Sequence, residues 1–170
     1  MTRACGECQL CCRLLPVRPL HKGANQRCKH QQFKKGCSIY ATPAMPTDCK
    51  VWVCRWLVSD DTADQSRPDR AHYVIDVMPD QITLRDDATD QKIDLIVVQI
   101  WIDPKHPEAL ADESLRAYMF RRAEQDGMPS LIRFDSKKCL TVFPPPISAD
   151  GKWHQRESDA TPGYRGLFHD

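Results

Sequence analysis

Apolar positions along this chain change their rhythm twice. Before residue 46 they follow no sustained period, and Pro16, Pro19, Pro43 and Pro46 with Gly6, Gly23 and Gly36 cut the segment into loops and short turns. From residue 72 onward they fall into short β-type runs. "HYVIDVM", "QITLRD" and "KIDLIVVQIWID" predict three strands separated by the turn signals "PD" and "DATD", an antiparallel β-meander. The pattern then lengthens. "PEALADESLRAYMFRRAEQDG" (107–127) predicts a helix whose apolar stripe is Leu115, Tyr118, Met119 and Ala123, with Gly127 as its C-cap. "SLIRFD" and "CLTVFPPP" predict two more strands, the second ended or confined to an edge by Pro144, Pro145 and Pro146. The tail from "RESDATPG" reads as irregular.

Between these halves, "PTDCKVWVCRWLVSD" (46–60) predicts one short helix capped by Thr47 or Asp48, with Trp52 and Trp56 on a shared face packing against the second half. Residues 62–70, "TADQSRPDR", read as a polar linker. The expected fold is α+β: a loop-rich, cysteine-rich metal module (1–58) packed on an antiparallel meander with one long helix (59–170), as one compact unit.

Charge sharpens the division. Residues 1–58 hold ten of the 24 Lys/Arg but two of the 23 Asp/Glu, a net of +8, which leaves −7 on the remainder. Eight of the nine cysteines lie in that basic segment: Cys5, Cys8, Cys11, Cys12, Cys28, Cys37, Cys49 and Cys54. "MTRACGEC" has no apolar core of a secretory signal, and "IDLIVVQIWI", broken by Asp94 and Gln99, is too short to span a bilayer. The expectation is a cytoplasmic protein without a membrane partner. There persistent disulfides are uncommon and a dense cysteine cluster points to metal.

The spacing C-x2-C-x2-C-C begins like the three-cysteine run of bacterial ferredoxins, but Cys12 follows at once and the next cysteine is far away. Zinc is the alternative. A structural zinc takes four ligands, so eight thiolates suit two ions, with the adjacent Cys11 and Cys12 shared between sites or one of them bridging. Cys49 and Cys54 sit about 140° apart on a regular helix. Either Cys49 occupies an irregular first turn, or the two serve different ions. Eight thiolates and two zinc ions would lower the segment's +8 to +4, so the basic residues complement the thiolates.

With "RCKH", "GCSIY" and "TPAMPTDCKVWVCRWL", the cysteine order resembles the CxxCxxCC family of zinc- or iron-chelating proteins over the first third of the chain. Thr-Pro stands here where an Arg-Pro pair is usual in that family. A related cysteine block in flagellin lysine N-methylases implies that an iron–sulfur centre fits such a pattern, but residues 59–170 carry no methylase motif or glycine-rich cofactor loop. The sequence thus favours a metal-binding protein that chelates zinc or iron, with a redox or protein-modifying enzyme built on an iron–sulfur centre as the alternative. Cys139 reads as a half-buried strand residue, His30 as a surface or outer-shell group, and His21, His72, His106, His154 and His169 as scattered residues with no motif. Lys34–Lys35 and Arg121–Arg122 lack the aromatic platform that nucleic-acid binding calls for, so nucleic acid is not an expected partner.

Overall fold

The computed structural model describes residues 3–85 and 89–158. The chain forms a mixed six-stranded sheet with a small two-stranded hairpin before it. The N-terminal half supplies short pieces: α1 (Leu10–Leu14), the hairpin β1 (Gln31–Gln32) and β2 (Gly36–Cys37), α2 (Thr47–Val51), α3 (Arg55–Val58) and α4 (Pro68–Ala71). The sheet follows as β3 (Tyr73–Ile75), β4 (Asp80–Arg85) and β5 (Lys92–Ile102), then α5 (Glu113–Asp126), β6 (Ser130–Arg133), β7 (Cys139–Phe143) and β8 (His154–Ser158).

β3 and β4 both pair antiparallel with β5, β3 along residues 100–102 and β4 along 92–97. These pairings are antiparallel as expected, but β3 and β4 pair with β5 rather than with each other, so of the predicted meander only the β4–β5 hairpin forms. The next pairing is not antiparallel: β5 and β6 run parallel, Val98 beside Ser130 and Trp101 beside Arg133. The reason is α5, a crossover long enough to carry the chain back to the starting end of the sheet. β7 and β8 then continue antiparallel.

Strand alternation gives β5 two buried faces. Val98, Ile100 and Ile102 point to one side, where Leu115, Tyr118 and Met119 of α5 cover them. Val74 and Trp101 point to the other, where Cys8, Leu10, Leu14 and Leu15 cover them. The sheet is thus a middle layer between α5 and the cysteine-rich segment. The predicted stripe of α5 is buried throughout. Its start lies at Asp112, whose carboxylate caps the Leu115 amide, because 107–111 forms a separate 3-10 turn. Gly127 takes the left-handed C-cap conformation at φ 66°.

Four local expectations are corrected. "LCCRL" is helical, and Leu10 and Leu14, spaced i, i+4, anchor it to the sheet. The helix predicted at 46–60 is two helices, because Val53 accepts the Val77 amide and Cys54 bridges to Asp76, which holds 52–54 extended along β3. The expected linker 62–70 is packed: Thr62 and Gln65 are buried, and Arg3 bonds both Thr62 Oγ1 and the Thr62 carbonyl at 3.0 Å. The start of the "irregular" tail pairs with β7 as β8. Its remainder (159–170), like part of the "DATD" turn, lies outside the described residues. Among the described residues no helix is long and apolar enough to cross a membrane.

Leu14 is 1% exposed and lies between α1 and the sheet. Leu14→Ala should cost about 2–5 kcal/mol of stability, read as a lower urea midpoint.

Candidate metal centre

The first cysteines are placed by a tight turn. Gly6 takes φ 50°, which lets the chain double back so that the Cys8 amide reaches the Cys5 carbonyl at 2.9 Å. α1 begins two residues after Cys8 and carries Cys11 and Cys12. The hairpin brings Cys37 opposite Gln31, and Gln31 in turn bonds back to the Cys28 carbonyl at 3.0 Å. Gln9 ties this hairpin to the first turn, donating to the Gly36 carbonyl at 3.1 Å and accepting from Gln31 Nε2 at 2.8 Å. Cys49 sits in the first turn of α2, and Cys54 is the residue before α3. The break between these helices frees the two cysteines from the phase of a single helix.

The result is a division into two neighbourhoods. Cys5, Cys8, Cys11 and Cys54 line one small cavity of about 20 Å³, closed by Trp56, Leu57, Pro68 and Val74, with no polar surface exposed to it. Cys49 lies instead within electrostatic reach of Cys12, Cys28 and Cys37. Lys22 adjoins this second group, feeling Cys28 and Cys12 most among the thiols. Its ammonium is buried and donates to the carbonyls of Arg13, at 3.1 Å, and of Leu15 and Gly23. Cys11 and Cys12 meet at the boundary. Of the eight cysteines, none is disulfide-bonded.

Burial dominates the thiol chemistry. It pushes Cys54 up to about 12, against the amides of Trp56 and Leu57 that point at its sulfur. It pushes Cys5 up to about 11, helped by Cys8 and Cys12, and Cys49 up to about 11, helped by Cys12 and Cys28. Cys12 goes the other way: the Cys11 thiol hydrogen-bonds its thiolate, and Lys22 adds positive charge. At neutral pH the metal-free Cys5, Cys49 and Cys54 thiols are therefore protonated, and a cation binding them has to displace those protons.

The donor set fits a soft or borderline metal, since four sulfurs in an apolar recess are what zinc and iron–sulfur centres use. The spacing is wider than a single ion requires. Tetrahedral zinc holds its sulfurs about 3.8 Å apart, and no three cysteine thiols lie mutually within 4.8 Å. Among the described residues the one His/Cys/Asp/Glu trio that does is His72, Asp103 and His106, whose histidines read from the sequence as scattered residues. His21 and His30 join no such group. Cys139 is buried in β7 beside Val97 and Leu131, away from the eight.

The segment bearing Cys49 and Cys54 is fastened by one buried carboxylate. Asp76 accepts from Trp52 Nε1 at 2.6 Å, from Gln99 Nε2 at 3.3 Å and from the Met78 amide at 2.9 Å. Trp56, on the other helix, donates to the Gln65 carbonyl at 3.2 Å and lies under the Arg3 guanidinium. No family model, curated protein or solved structure matches the chain.

Burial raises Asp76 from 3.8 to about 6. The folded state therefore holds this proton more tightly than the unfolded one. Between pH 4 and pH 6 the folded state binds more protons, so this group's contribution falls as pH rises, by about 3 kcal/mol in all. Urea unfolding of metal-free wild type and Asp76→Asn across that window should show the slope in the first and its loss in the second.

Proposed function

We propose that the chain is a metal-binding protein in which Cys5, Cys8, Cys11 and Cys54 hold one centre and Cys12, Cys28, Cys37 and Cys49 hold another. The observation that carries this reading is the four-sulfur apolar cavity, with the remaining four cysteines gathered around Lys22. Both zinc and iron stay within this reading: the cavity among the four sulfurs, about 20 Å³, has room for a single ion, and an iron–sulfur cluster would need the sulfurs to move apart. Chelation of zinc or iron is also what the resemblance to the CxxCxxCC family implies.

Charge supports the assignment. Lys22 stands against the second group, and Arg67 lies near Cys5 and Cys8. Both offset the thiolate charge that metal binding creates. Two groups of four protein sulfurs leave a zinc ion no open position, which suits a structural or metal-carrying protein; an enzymatic use would need a reducible cluster instead.

Metal and acid-labile sulfide per chain, measured on protein purified without oxygen, test it. Bound metal at two centres is the expected result, and iron with matching sulfide and a broad visible absorption would identify them as clusters. About two zinc ions without sulfide would keep the two groups and remove the clusters; eight reactive thiols with neither metal would overturn the reading. The grouping has its own test. Cys54→Ser and Cys49→Ser should each lose one of the two centres and retain the other, whereas Cys139→Ser should lose neither.

A further inference from the structure

His72 and Asp103 are thirty-one positions apart, and the sheet puts them side by side. β3 and β5 pair antiparallel with Tyr73 opposite Ile102, so the next step outward sets His72 against Asp103. The Asp103 amide donates to the His72 carbonyl at 2.9 Å. His72 ends α4 in the left-handed conformation, at φ 61°, which turns the chain sharply into β3. "DPKH" then brings a second imidazole back: the His106 amide reaches the Asp103 carbonyl at 2.8 Å. The two rings stack with centroids 3.6 Å apart and planes 15° from parallel. One ligand atom from each of His72, Asp103 and His106 lies within 4.8 Å of the other two.

We propose that His72, Asp103 and His106 form a separate site for a divalent first-row transition cation, bound through two imidazole nitrogens and one carboxylate oxygen. Such two-histidine, one-carboxylate sets hold zinc and ferrous iron and leave positions for water. Nearly parallel rings do not aim their in-plane lone pairs at one point, so a cation there turns one ring out of the stack; the carboxylate is already placed. Asp103 is 2% exposed, so its carboxylate is fixed and sheltered. Arg13 pairs with Oδ2, and the Lys105 amide donates to Oδ1 at 3.1 Å, leaving that oxygen a lone pair. Glu108 Oε1 lies 2.9 Å from His106 Nδ1, which fixes the proton there and presents Nε2 as the ligand. The Arg13 cation sets the selectivity. It weakens a purely electrostatic hold on calcium or magnesium and leaves the imidazoles to decide, which favours zinc, cobalt or iron.

The site contains no sulfur, so it can be read apart from the thiol centres. Cobalt(II) is added to the full chain with its thiol-bound metal in place. One further equivalent should bind, with weak visible bands, no sulfur charge-transfer absorption and shifted imidazole proton resonances. His72→Gln and His106→Gln should each lose that equivalent, a weakening of at least about 100-fold, and Glu108→Gln should weaken it about 10-fold. The thiol-bound metal should be unchanged in all three. Uptake of equal strength in wild type and the histidine variants would overturn the proposal, as would shifted resonances from other histidines in the wild type. A chain that proves metal-free at its thiols would remove the thiol-centre reading, and the resonances of His72 and His106, assigned by their loss in the two variants, would still report on this site.

Discussion

Trp101 and Val74, on the face of the sheet turned away from α5, are the ground on which the cysteine-rich segment stands. That segment has short helices and a two-residue hairpin, too little regular structure to hold eight side chains in place. What fixes it is burial of Leu10, Leu14 and Leu15 against these two residues, with Cys8 beside them. The same β5 alternation that gives Ile100 and Ile102 to the helix gives Trp101 to the thiols. The first four-sulfur cavity reaches this surface directly, since Val74 is part of its wall.

Part of the basic charge of the N-terminal segment is turned inward, while Arg18, Arg27, Lys29, Lys34, Lys35 and Lys50 stay exposed. Arg13 pairs with Asp103, Arg55 with Asp61, and Arg3 is turned onto backbone carbonyls around Trp56 and Thr62. Lys22 is buried among carbonyls beside the second thiol group. The −7 of residues 59–170 supplies part of the complement, through Asp61 and Asp103.

The elements legible in the sequence were those with a strong local period. The strands from residue 73, the stripe of α5 and its Gly127 cap all stand where alternation and helical spacing put them. The misplaced elements were decided by partners far along the chain. "VWVC" leaves the helix because Val53 and Cys54 bond to Val77 and Asp76, and no local pattern carries that information. The i, i+4 pair Leu10 and Leu14 was a readable signal, hidden by the cysteines between them. In the candidate centre, adjacency pointed to different partners for Cys11 and Cys12, whereas the reading of Cys49 and Cys54 rested on a single helix that the chain does not form. Which cysteine joins which group depends on the hairpin and on the β3 contact. The His72, Asp103 and His106 cluster had no sequence motif because its members meet through strand register.

Register also ties the two parts of the molecule together. Cys12 and Arg13 are consecutive in α1. One faces the thiols and Lys22, and the other holds Asp103 at the end of β5. A rotation of α1 large enough to withdraw Cys12 from Cys28 and Cys49 would drag Arg13 off a buried carboxylate, and an unpaired buried charge is costly. Leu14, one residue further on, adds the burial that resists the same movement. Three consecutive side chains thus hold α1 in one orientation by three different means: thiol electrostatics, an ion pair and apolar packing. Five residues would be too few to form a stable helix alone, and here tertiary contacts on successive residues replace the missing helical cooperativity.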